Sequence, residues 1–246
     1  MTRDYQVETE KRADFIRRVL NDSGASGIIF GNSGGKDAAL VGILCKLACD
    51  DTVGIIMPCG SNRNYGEDKA DALSVAEQFG IETRIIDLGK VFAEMRAAVG
   101  ASATLNDAAV TNIAPRLRMT ALYSVAASEN RLVAGTGNRS ERHMGYFTKW
   151  GDGAFDFNPI ADLTVTEIYA FLRHFNAPEN IVKKAPSAGL YDGQTDEADM
   201  GISYKSIDDF LLHGTASPED AAIIERYHNR SEHKRRMPEV YEPLAK

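Results

Sequence analysis

The sequence contains only three cysteines, Cys45, Cys49 and Cys59, in 246 residues. These cysteines form no CxxC pair and have no His-x-His partner, so they match neither a disulfide framework nor a zinc site. We therefore expect buried, reduced thiols.

The sequence also lacks a long apolar run and a positive net charge. No stretch is apolar enough for a membrane span, and the N-terminal stretch MTRDYQVETEKR lacks the apolar segment of a signal peptide. The formal net charge of −7 argues against a general binder of nucleic acid or membrane surfaces. A basic stretch, RYHNRSEHKRR at 226–236, is the local exception. We expect a cytoplasmic protein.

What the sequence does contain is an alternation of strand and helix patterns. Short β-branched runs predict strands, covered on both faces, at 27–30, 52–57, 83–88 and 131–135. Helical patterns lie at 4–22, 36–49, 66–79, 89–99, 111–129, 164–175, 203–212 and 218–235. The alternation predicts an α/β fold, a parallel sheet with helices on both faces, whose ligands collect beyond the carboxyl ends of the strands.

The length and the 43% apolar content predict one domain across 1–246. Within it, the stretches 100–112 and 186–201 read as loops that we expect to be mobile. Neither stretch carries a sustained helical or strand pattern.

The sequence GNSGGKDAAL, residues 31–40, joins the first predicted strand to a helix. Its glycines leave backbone N–H groups free at the positive end of that helix, an arrangement that binds anions. The P-loop of common NTPases does not match, because only three residues separate Gly31 from Gly35 and Asp37 follows the lysine. The alternative is a glycine turn that only permits tight packing of strand and helix.

The segment SGGKD at 33–37 resembles the pyrophosphate loop of the N-type ATP pyrophosphatases, usually written SGGxDS. Further segments resemble one family of that group, the ammonia-dependent NAD synthetases. They are NIAPRLRMTALYSVA (112–126), GTGNRSERHMGYFTKWGDGAFDFNPIADL (135–163), PSAGLYDGQTDEADMGISYKSID (186–208) and EHKRRMP (232–238). The resemblance covers nearly the whole chain in the order that the family has.

The resemblance implies a three-layer, Rossmann-type fold like that of the adenine nucleotide α-hydrolases, and a ligase activity. In the family, the nicotinate carboxylate of deamido-NAD attacks the α-phosphate of ATP, pyrophosphate leaves, and ammonia displaces AMP to give NAD. The family also implies a homodimer with the dinucleotide at its two-fold interface. Because 246 residues leave no room for a nitrilase-like glutaminase domain, we expect free ammonia unless a separate protein delivers it.

The resemblance also implies site residues. Magnesium is expected on Asp37 and Glu141, which could otherwise be a helix-dipole partner and an exposed surface acid. The implied ATP contacts are Gly31, Asn32, Ser33, Gly34, Gly35, Lys36, Asp37, Ala38, Thr136 and Ser187. The implied deamido-NAD contacts are Arg116, Tyr123, Lys149, Asp152, Asp156, His233 and Lys234, the last two on a C-terminal helical segment, 218–246, that returns to the site. For Thr136 the alternative is a helix N-cap, and for His233 and Lys234 a solvated helix end.

Two positions depart from the family pattern. Ala38 replaces the serine of SGGxDS, and Val165 replaces the ATP-binding lysine of a segment usually written TKTE. We expect a loss of about 1 kcal/mol for the hydroxyl and about 1.5–3 kcal/mol for the charge. Our hypothesis is that Lys36 supplies from the loop the positive charge that Val165 lacks, with a role in catalysis; the alternative is that it points to solvent. Arg63 is a candidate for an arginine that the family carries closer to the MP of MPCGSNRN.

Two other functions stay open. One is another adenylating pyrophosphatase, such as a tRNA sulfur-transfer or GMP-forming enzyme, although the acidic balance and the lack of paired CxxC argue against the tRNA option. The other is a nucleotide-binding protein with impaired catalysis, because Ala38 and Val165 both fall in the ATP site. Pyrophosphate release from Mg-ATP that depends on deamido-NAD separates these readings.

Overall fold

The structure is a computed structural model that describes residues 3–191 and 193–241. Residue 192 of the predicted loop 186–201 and residues 242–246 of the predicted C-terminal segment lie outside the described residues. The strands are β1 (Gly27–Gly31), β2 (Thr52–Ile56), β3 (Glu82–Ile85) and β4 (Arg131–Ala134). They pair in parallel in the order β3-β2-β1-β4, which confirms the predicted parallel sheet.

The helices of the described residues connect and follow these strands. Their bounds are α1 (Tyr5–Ser23), α2 (Lys36–Ala48), α3 (Asn62–Tyr65), α4 (Glu67–Phe79), α5 (Gly89–Gly100), α6 (Asp107–Thr111), α7 (Ile113–Glu129), α8 (Arg139–Met144), α9 (Val165–His174), α10 (Glu179–Lys183), α11 (Asp196–Met200), α12 (Tyr204–His213), α13 (Pro218–Arg230) and α14 (Glu232–Arg235).

The alternating side chains of β1 divide the core into the two faces of the sheet. Ile28 and Phe30 pack into a buried cluster with residues of α1, α2 and α9. Ile29 packs into a second cluster with residues of β2, β4 and α7. Because side chains alternate across a strand, this division places helices on both faces and confirms the α/β prediction.

One strand differs from the expectation that all four are covered on both faces. β3 pairs only with β2, so it lies at an edge of the sheet. Its first and last residues, Glu82 and Ile85, are exposed, Ile85 to 49%. The apolar run IIDL misled the prediction, because only Leu88 of this run is buried, and it lies beyond the end of β3.

Several predicted helices are interrupted, and the predicted loops contain short helices. The pattern at 66–79 is preceded by α3, the pattern at 111–129 divides at Asn112, and the pattern at 218–235 divides at Ser231. The segments 100–112 and 186–201 contain α6 and α11. Helices α8 and α10 have no counterpart among the predicted elements. They have only six and five residues, too few for a hydrophobic period to appear in the sequence.

The three cysteines are free thiols, with Cys45 and Cys59 buried and Cys49 partly buried. Burial raises the pKa of the Cys45 and Cys59 thiols, which keeps them protonated. Within residues 3–191 and 193–241, none of the helices has the length and apolar character needed to cross a bilayer. The cytoplasmic location stays a prediction.

Candidate active site

A cavity of about 640 Å³ opens at the carboxyl ends of the strands. Gly31 at the end of β1, Ile56 at the end of β2 and Ala134 at the end of β4 all line it. The loop after β1, the turn after β4 and the segment that precedes α11 form its walls. This is the edge of a parallel sheet where ligands are expected, and the volume is typical of a ligand pocket.

The loop between β1 and α2 is fixed by a close approach to α4. Gly34 has a φ of +72°, and a Cβ at this position would lie 2.1 Å from the backbone oxygen of Asp68. The carbonyl of Gly34 accepts a hydrogen bond from Lys184 Nζ at 3.3 Å, and the same ammonium contacts Asp68 and Asp71 on α4. Only glycine fits this turn, which presents the N-terminus of α2 to the cavity.

Asp37 and Glu141, the predicted magnesium ligands, lie on the first turns of α2 and α8, and both line the cavity. Asn138 holds both of them. Its side-chain amide donates to Asp37 Oδ1 at 3.0 Å, its side-chain oxygen accepts from the Glu141 backbone N–H, and its own N–H donates to Glu141 Oε2. Glu141 is therefore part of a capping box and not an exposed surface acid.

Lys36 lies between these two carboxylates. Its ammonium is 2.7 Å from Asp37 Oδ2 and 3.7 Å from Glu141 Oε1, and it lies 5.5 Å from the ring centroid of Tyr204. The residue is 5% exposed, so the alternative in which Lys36 points to solvent is wrong.

Charge and burial together set the protonation of this group. Burial by itself lowers the pKa of Lys36, but Asp37 and Glu141 outweigh burial and raise it above its ordinary value. Desolvation and the charge of Asp37 raise the pKa of Glu141 well above its usual range, although Lys36 opposes them. The cluster therefore retains a lysine cation that is tightly paired with acidic side chains.

The carboxylate pair has the donor chemistry of a magnesium site. Asp37 and Glu141 offer oxygen ligands, and magnesium is usually held by one or two carboxylates with phosphate oxygens and water completing the shell. Among residues 3–191 and 193–241, no cluster of three or more His, Cys, Asp or Glu side chains has an arrangement that could hold a metal. The two carboxylates would hold magnesium, and their oxygens are also the ones that contact Lys36.

Most of the residues predicted from the sequence line this one cavity. They are Gly31, Asn32, Ser33, Gly35, Lys36, Asp37, Ala38, Thr136, Glu141, Asp152, Ser187, His233 and Lys234. Thr136 is not the N-cap of the helix that follows, because Asn138 caps α8. The loop 186–201 forms a wall of the cavity through Ser187 to Tyr191, Gln194, Asp196 and Asp199.

The C-terminal segment reaches the cavity through contacts to the chain around α8. The ammonium of Lys234 donates to the carbonyls of Gly145 and Phe147, both at 2.8 Å, so it is not a freely solvated helix end. Gly145 has a φ of +65°, and a Cβ there would lie 2.1 Å from Ser231. Lys149 Nζ donates to the carbonyl of His233 at 2.7 Å. These contacts bring His233 and Lys234 to the cavity wall.

Five predicted residues lie outside the lining of the cavity. Gly34 turns toward α4, as described above. Arg116 is exposed and donates to the carbonyl of Lys149 at 3.4 Å, while the Lys149 ammonium lies 5.3 Å from the ring centroid of the exposed Trp150.

The other two, Tyr123 and Asp156, contact each other. The Tyr123 hydroxyl donates to Asp156 at 3.1 Å, and Asp156 also accepts from the Val133 backbone N–H. Burial and the charge of Asp156 raise the pKa of Tyr123. The residues assigned to the dinucleotide are thus divided between the cavity and the surface beside it.

The cavity also contains polar residues that the sequence did not predict as site residues, among them Arg118, Asp196 and Asp199. Arg118 donates to the Met57 carbonyl at 3.1 Å and to Asn64 Oδ1 at 2.7 Å, and so places a cation beside the end of β2. Asp196 is buried and accepts from the Ala188 N–H and from the Tyr204 hydroxyl. Asp199 accepts from Tyr146, Tyr191 and Gln194. Arg118 follows Arg116 by two residues in PRLRM, and Asp196 and Asp199 lie in the segment 186–208 that resembles the family, so all three fall in motifs that did not single them out.

The positions that depart from the family pattern are both buried. Ala38 lines the cavity floor and belongs to the cluster around α2. Val165 is 3% exposed and belongs to an apolar cluster that also contains Met144 and Tyr204. Arg63 pairs with Asp68 at 3.1 Å and does not line the cavity, where Arg118 supplies a cation instead.

The chain is similar to known proteins over nearly its whole length. A family model described as NAD synthase matches residues 8–238. The chain is 45% identical to an NH(3)-dependent NAD(+) synthetase from Carboxydothermus hydrogenoformans over 96% of this chain and 98% of the relative.

Solved structures agree as well. An NMN synthetase from Francisella tularensis superposes with a TM-score of 0.92 at 34% identity, over 99% of this chain and all of the other. An NH3-dependent NAD synthetase from Campylobacter jejuni, in complex with a nitrate ion, superposes with a TM-score of 0.80 at 33% identity, over 98% and 100% of the two chains.

Proposed function

The chain belongs to the NAD synthase family, and from this premise we propose that its cavity carries out the ATP-dependent amidation of deamido-NAD to NAD with ammonia. The observation that carries the proposal is the convergence of the SGGKD loop, Thr136 and Ser187 on one cavity together with the carboxylates Asp37 and Glu141. AMP and pyrophosphate are the other products. The contacts that this chain offers support each part of the reaction.

The loop after β1 binds the end of ATP that leaves. The N-terminus of α2, with Gly35 at its N-cap, directs backbone N–H groups and the positive end of a 13-residue helix at the cavity, which suits pyrophosphate. Negative charge shifts to pyrophosphate as the nicotinate carboxylate attacks the α-phosphate. Fixed donors at this position stabilise that charge without reorganisation.

We expect Asp37 and Glu141 to hold magnesium with the nucleotide. When bound, the ion offsets negative charge on the phosphates. Asn138 fixes the two carboxylates, so the oxygens that face the nucleotide are oriented before it binds. The N–H donors of Asn138 leave each carboxylate with free lone pairs for a ligand.

Deamido-NAD is proposed to enter from the side formed by Asp152, His233 and Lys234, which line the cavity. The remaining residues assigned to the dinucleotide, Arg116, Tyr123, Lys149 and Asp156, lie beside it at the surface. This division supports a homodimer in which part of the dinucleotide lies between two copies.

The described surface offers an apolar face for such a second copy. Helix α5 has no buried residue, and Val91, Met95 and Val99, four residues apart on one face, are exposed. Ile85 of the edge strand β3 is exposed as well. Contiguous apolar patches of this kind mark protein interfaces, and we propose that α5 takes part in the dimer.

A second candidate function is the amidation of the corresponding mononucleotide, nicotinate mononucleotide, to NMN. The observation that favours it is the higher TM-score with the NMN synthetase, 0.92, than with the NAD synthetase, 0.80, at nearly equal identity. Both substrates present the same nicotinate carboxylate to ATP. The two candidates differ only in whether the surface beside the cavity binds an adenylate group.

The test is pyrophosphate release from Mg-ATP with ammonium and each substrate in turn. The proposal predicts release that depends on deamido-NAD and yields NAD. A clear preference for nicotinate mononucleotide in kcat/KM would favour the second candidate. Binding of either substrate without pyrophosphate release would contradict both and favour a nucleotide-binding protein with impaired catalysis.

A further inference from the structure

The buried lysine of the SGGKD loop has contacts that an ordinary phosphate-binding lysine does not need. Its ammonium lies 2.7 Å from Asp37 Oδ2 and 3.7 Å from Glu141 Oε1. These are the two carboxylates assigned to the metal, so the chain itself places a cation at their oxygens.

The surroundings hold the ammonium in this position. Lys36 is 5% exposed, and the face of Tyr204 lies on its other side, at 5.5 Å from the ring centroid. A cation over an aromatic face at this distance is stabilised by the ring quadrupole. Tyr204 is itself fixed, because its hydroxyl donates to the buried Asp196 at 3.0 Å.

The same ring connects Lys36 with the residue that departs from the family pattern. Val165 lies in the apolar cluster that contains Tyr204, so no side chain at 165 brings a charge to this part of the site. The positive charge comes instead from Lys36, at the first turn of α2.

A metal ion and this ammonium compete for the same space. Magnesium lies about 2.0–2.1 Å from carboxylate oxygens, and Lys36 Nζ is already in hydrogen-bond contact with Asp37 Oδ2. An ion held by Asp37 and Glu141 would lie close to this ammonium, which is near oxygens of both residues. Two cations in contact there repel each other strongly, because little water screens them.

We propose that the ammonium of Lys36 is the resident cation of the Asp37–Glu141 pair, and that the nucleotide-free protein consequently binds divalent cations weakly at these carboxylates. The inference rests on the proposed function, which assigns the pair to the ATP site. The chain itself then supplies part of the positive charge near the phosphates, and this part does not depend on the concentration of free magnesium.

The test is Mn²⁺ binding to the nucleotide-free protein, followed by the electron paramagnetic resonance signal of free Mn²⁺. We expect Lys36→Met to bind Mn²⁺ at least about tenfold tighter than the parent, because a unit charge next to the ion has been removed. Lys36→Arg is the matched control that keeps the charge, and it should bind as weakly as the parent. Adding Glu141→Gln to Lys36→Met should abolish the gain.

Equal Mn²⁺ affinities of the parent and Lys36→Met would overturn the inference, and so would a gain that survives Glu141→Gln. If Lys36→Met does not fold, Mn²⁺ binding to the parent decides. Saturable binding at Mn²⁺ concentrations near that of the protein overturns the inference, and weak, unsaturated binding supports it.

The titration contains no substrate, so it is independent of amidation. An inactive chain with the expected Mn²⁺ pattern contradicts the proposed function alone, and an active chain with equal affinities contradicts this inference alone.

Discussion

The side-chain amide of Asn138 donates a hydrogen bond to Asp37 across 3.0 Å and thereby connects the first turn of α8 to the first turn of α2. Asn138 is fully buried and also forms the capping box with Glu141. One residue therefore sets the separation of two carboxylates that are distant in sequence, Asp37 and Glu141. Stability of α8 and geometry of the site depend on the same side chain.

Substitutions of Asn138 separate these two roles. Asn138→Ala loses the cap, worth about 1 kcal/mol, and the hydrogen bond to a charged group, worth about 1.5–3 kcal/mol. Asn138→Ser keeps a capping oxygen and loses only the bond to Asp37. We expect both variants to lose activity, and Asn138→Ala to be the less stable in denaturant unfolding. Full activity in Asn138→Ser would contradict the positioning role.

Adjacent glycines of the SGGKD loop should respond differently to alanine. Gly34→Ala forces a side chain into a left-handed conformation and against the Asp68 carbonyl, so we expect a loss of stability and of ATP affinity. At Gly35 the backbone is extended, and an added Cβ meets only Ser33 Oγ at 3.3 Å. Gly35→Ala is thus the matched control for stability. Denaturant unfolding checks the pair, and equal stabilities of Gly34→Ala and Gly35→Ala would refute the role assigned to Gly34.

A pair of histidines, His143 of α8 and His228 of α13, predicts that the stability of the protein depends on pH. The rings of His143 and His228 stack at 4.1 Å, and burial, with the charges of His228 and Arg235, lowers the pKa of His143 to about 4 from 6.5. Between these values the unfolded chain binds more protons than the folded one. His143 therefore contributes stability above pH 6.5 that is lost as the pH falls toward 4.

The control for this prediction is His143→Gln, which does not titrate. We expect the Tm of the parent to fall more between about pH 7 and pH 5 than the Tm of His143→Gln. The comparison removes the contribution of acidic side chains, which both proteins share. Parallel curves for the two proteins would contradict the prediction.

The fold was predictable because its signals are local. The run GIIF at 27–30 is apolar and β-branched, and β1 forms there with one residue more, Gly31. The position of the motif from Ser33 to Asp37 was predictable as well. Its glycines permit the turn, and its place after β1 puts it at the edge of the sheet where ligands bind. Short elements such as α8 were not predictable. This helix begins with a capping box and is too short to show a hydrophobic period.

The charge pairs of the site were not predictable in the same way. The sequence is equally consistent with an exposed Lys36 and with a buried one, because its partner Glu141 is distant in sequence. Lys184 gave no motif at all, yet it joins the Gly34 carbonyl to Asp68 on α4. The direction of a long flexible side chain is decided by partners that only the tertiary structure brings near.

The apolar face of α5 gives a prediction about assembly. Met95→Glu places a charge in the middle of the exposed face formed with Val91 and Val99, so we expect it to convert a dimer into a monomer. Lys90→Glu, on the same helix but away from that row, is the charge control. Light scattering after gel filtration measures both. A dimeric Met95→Glu, or a monomeric parent, would contradict the proposed interface.

The adenylation step can be followed by the oxygen that it transfers. We propose to supply deamido-NAD labelled with ¹⁸O in the nicotinate carboxylate, together with Mg-ATP and ammonium, and to determine the label by mass spectrometry. Attack of the carboxylate on the α-phosphate, followed by displacement with ammonia, leaves one labelled oxygen in AMP and one in the amide of NAD. Unlabelled AMP, or label recovered in inorganic phosphate together with ADP, would contradict adenylation in this cavity.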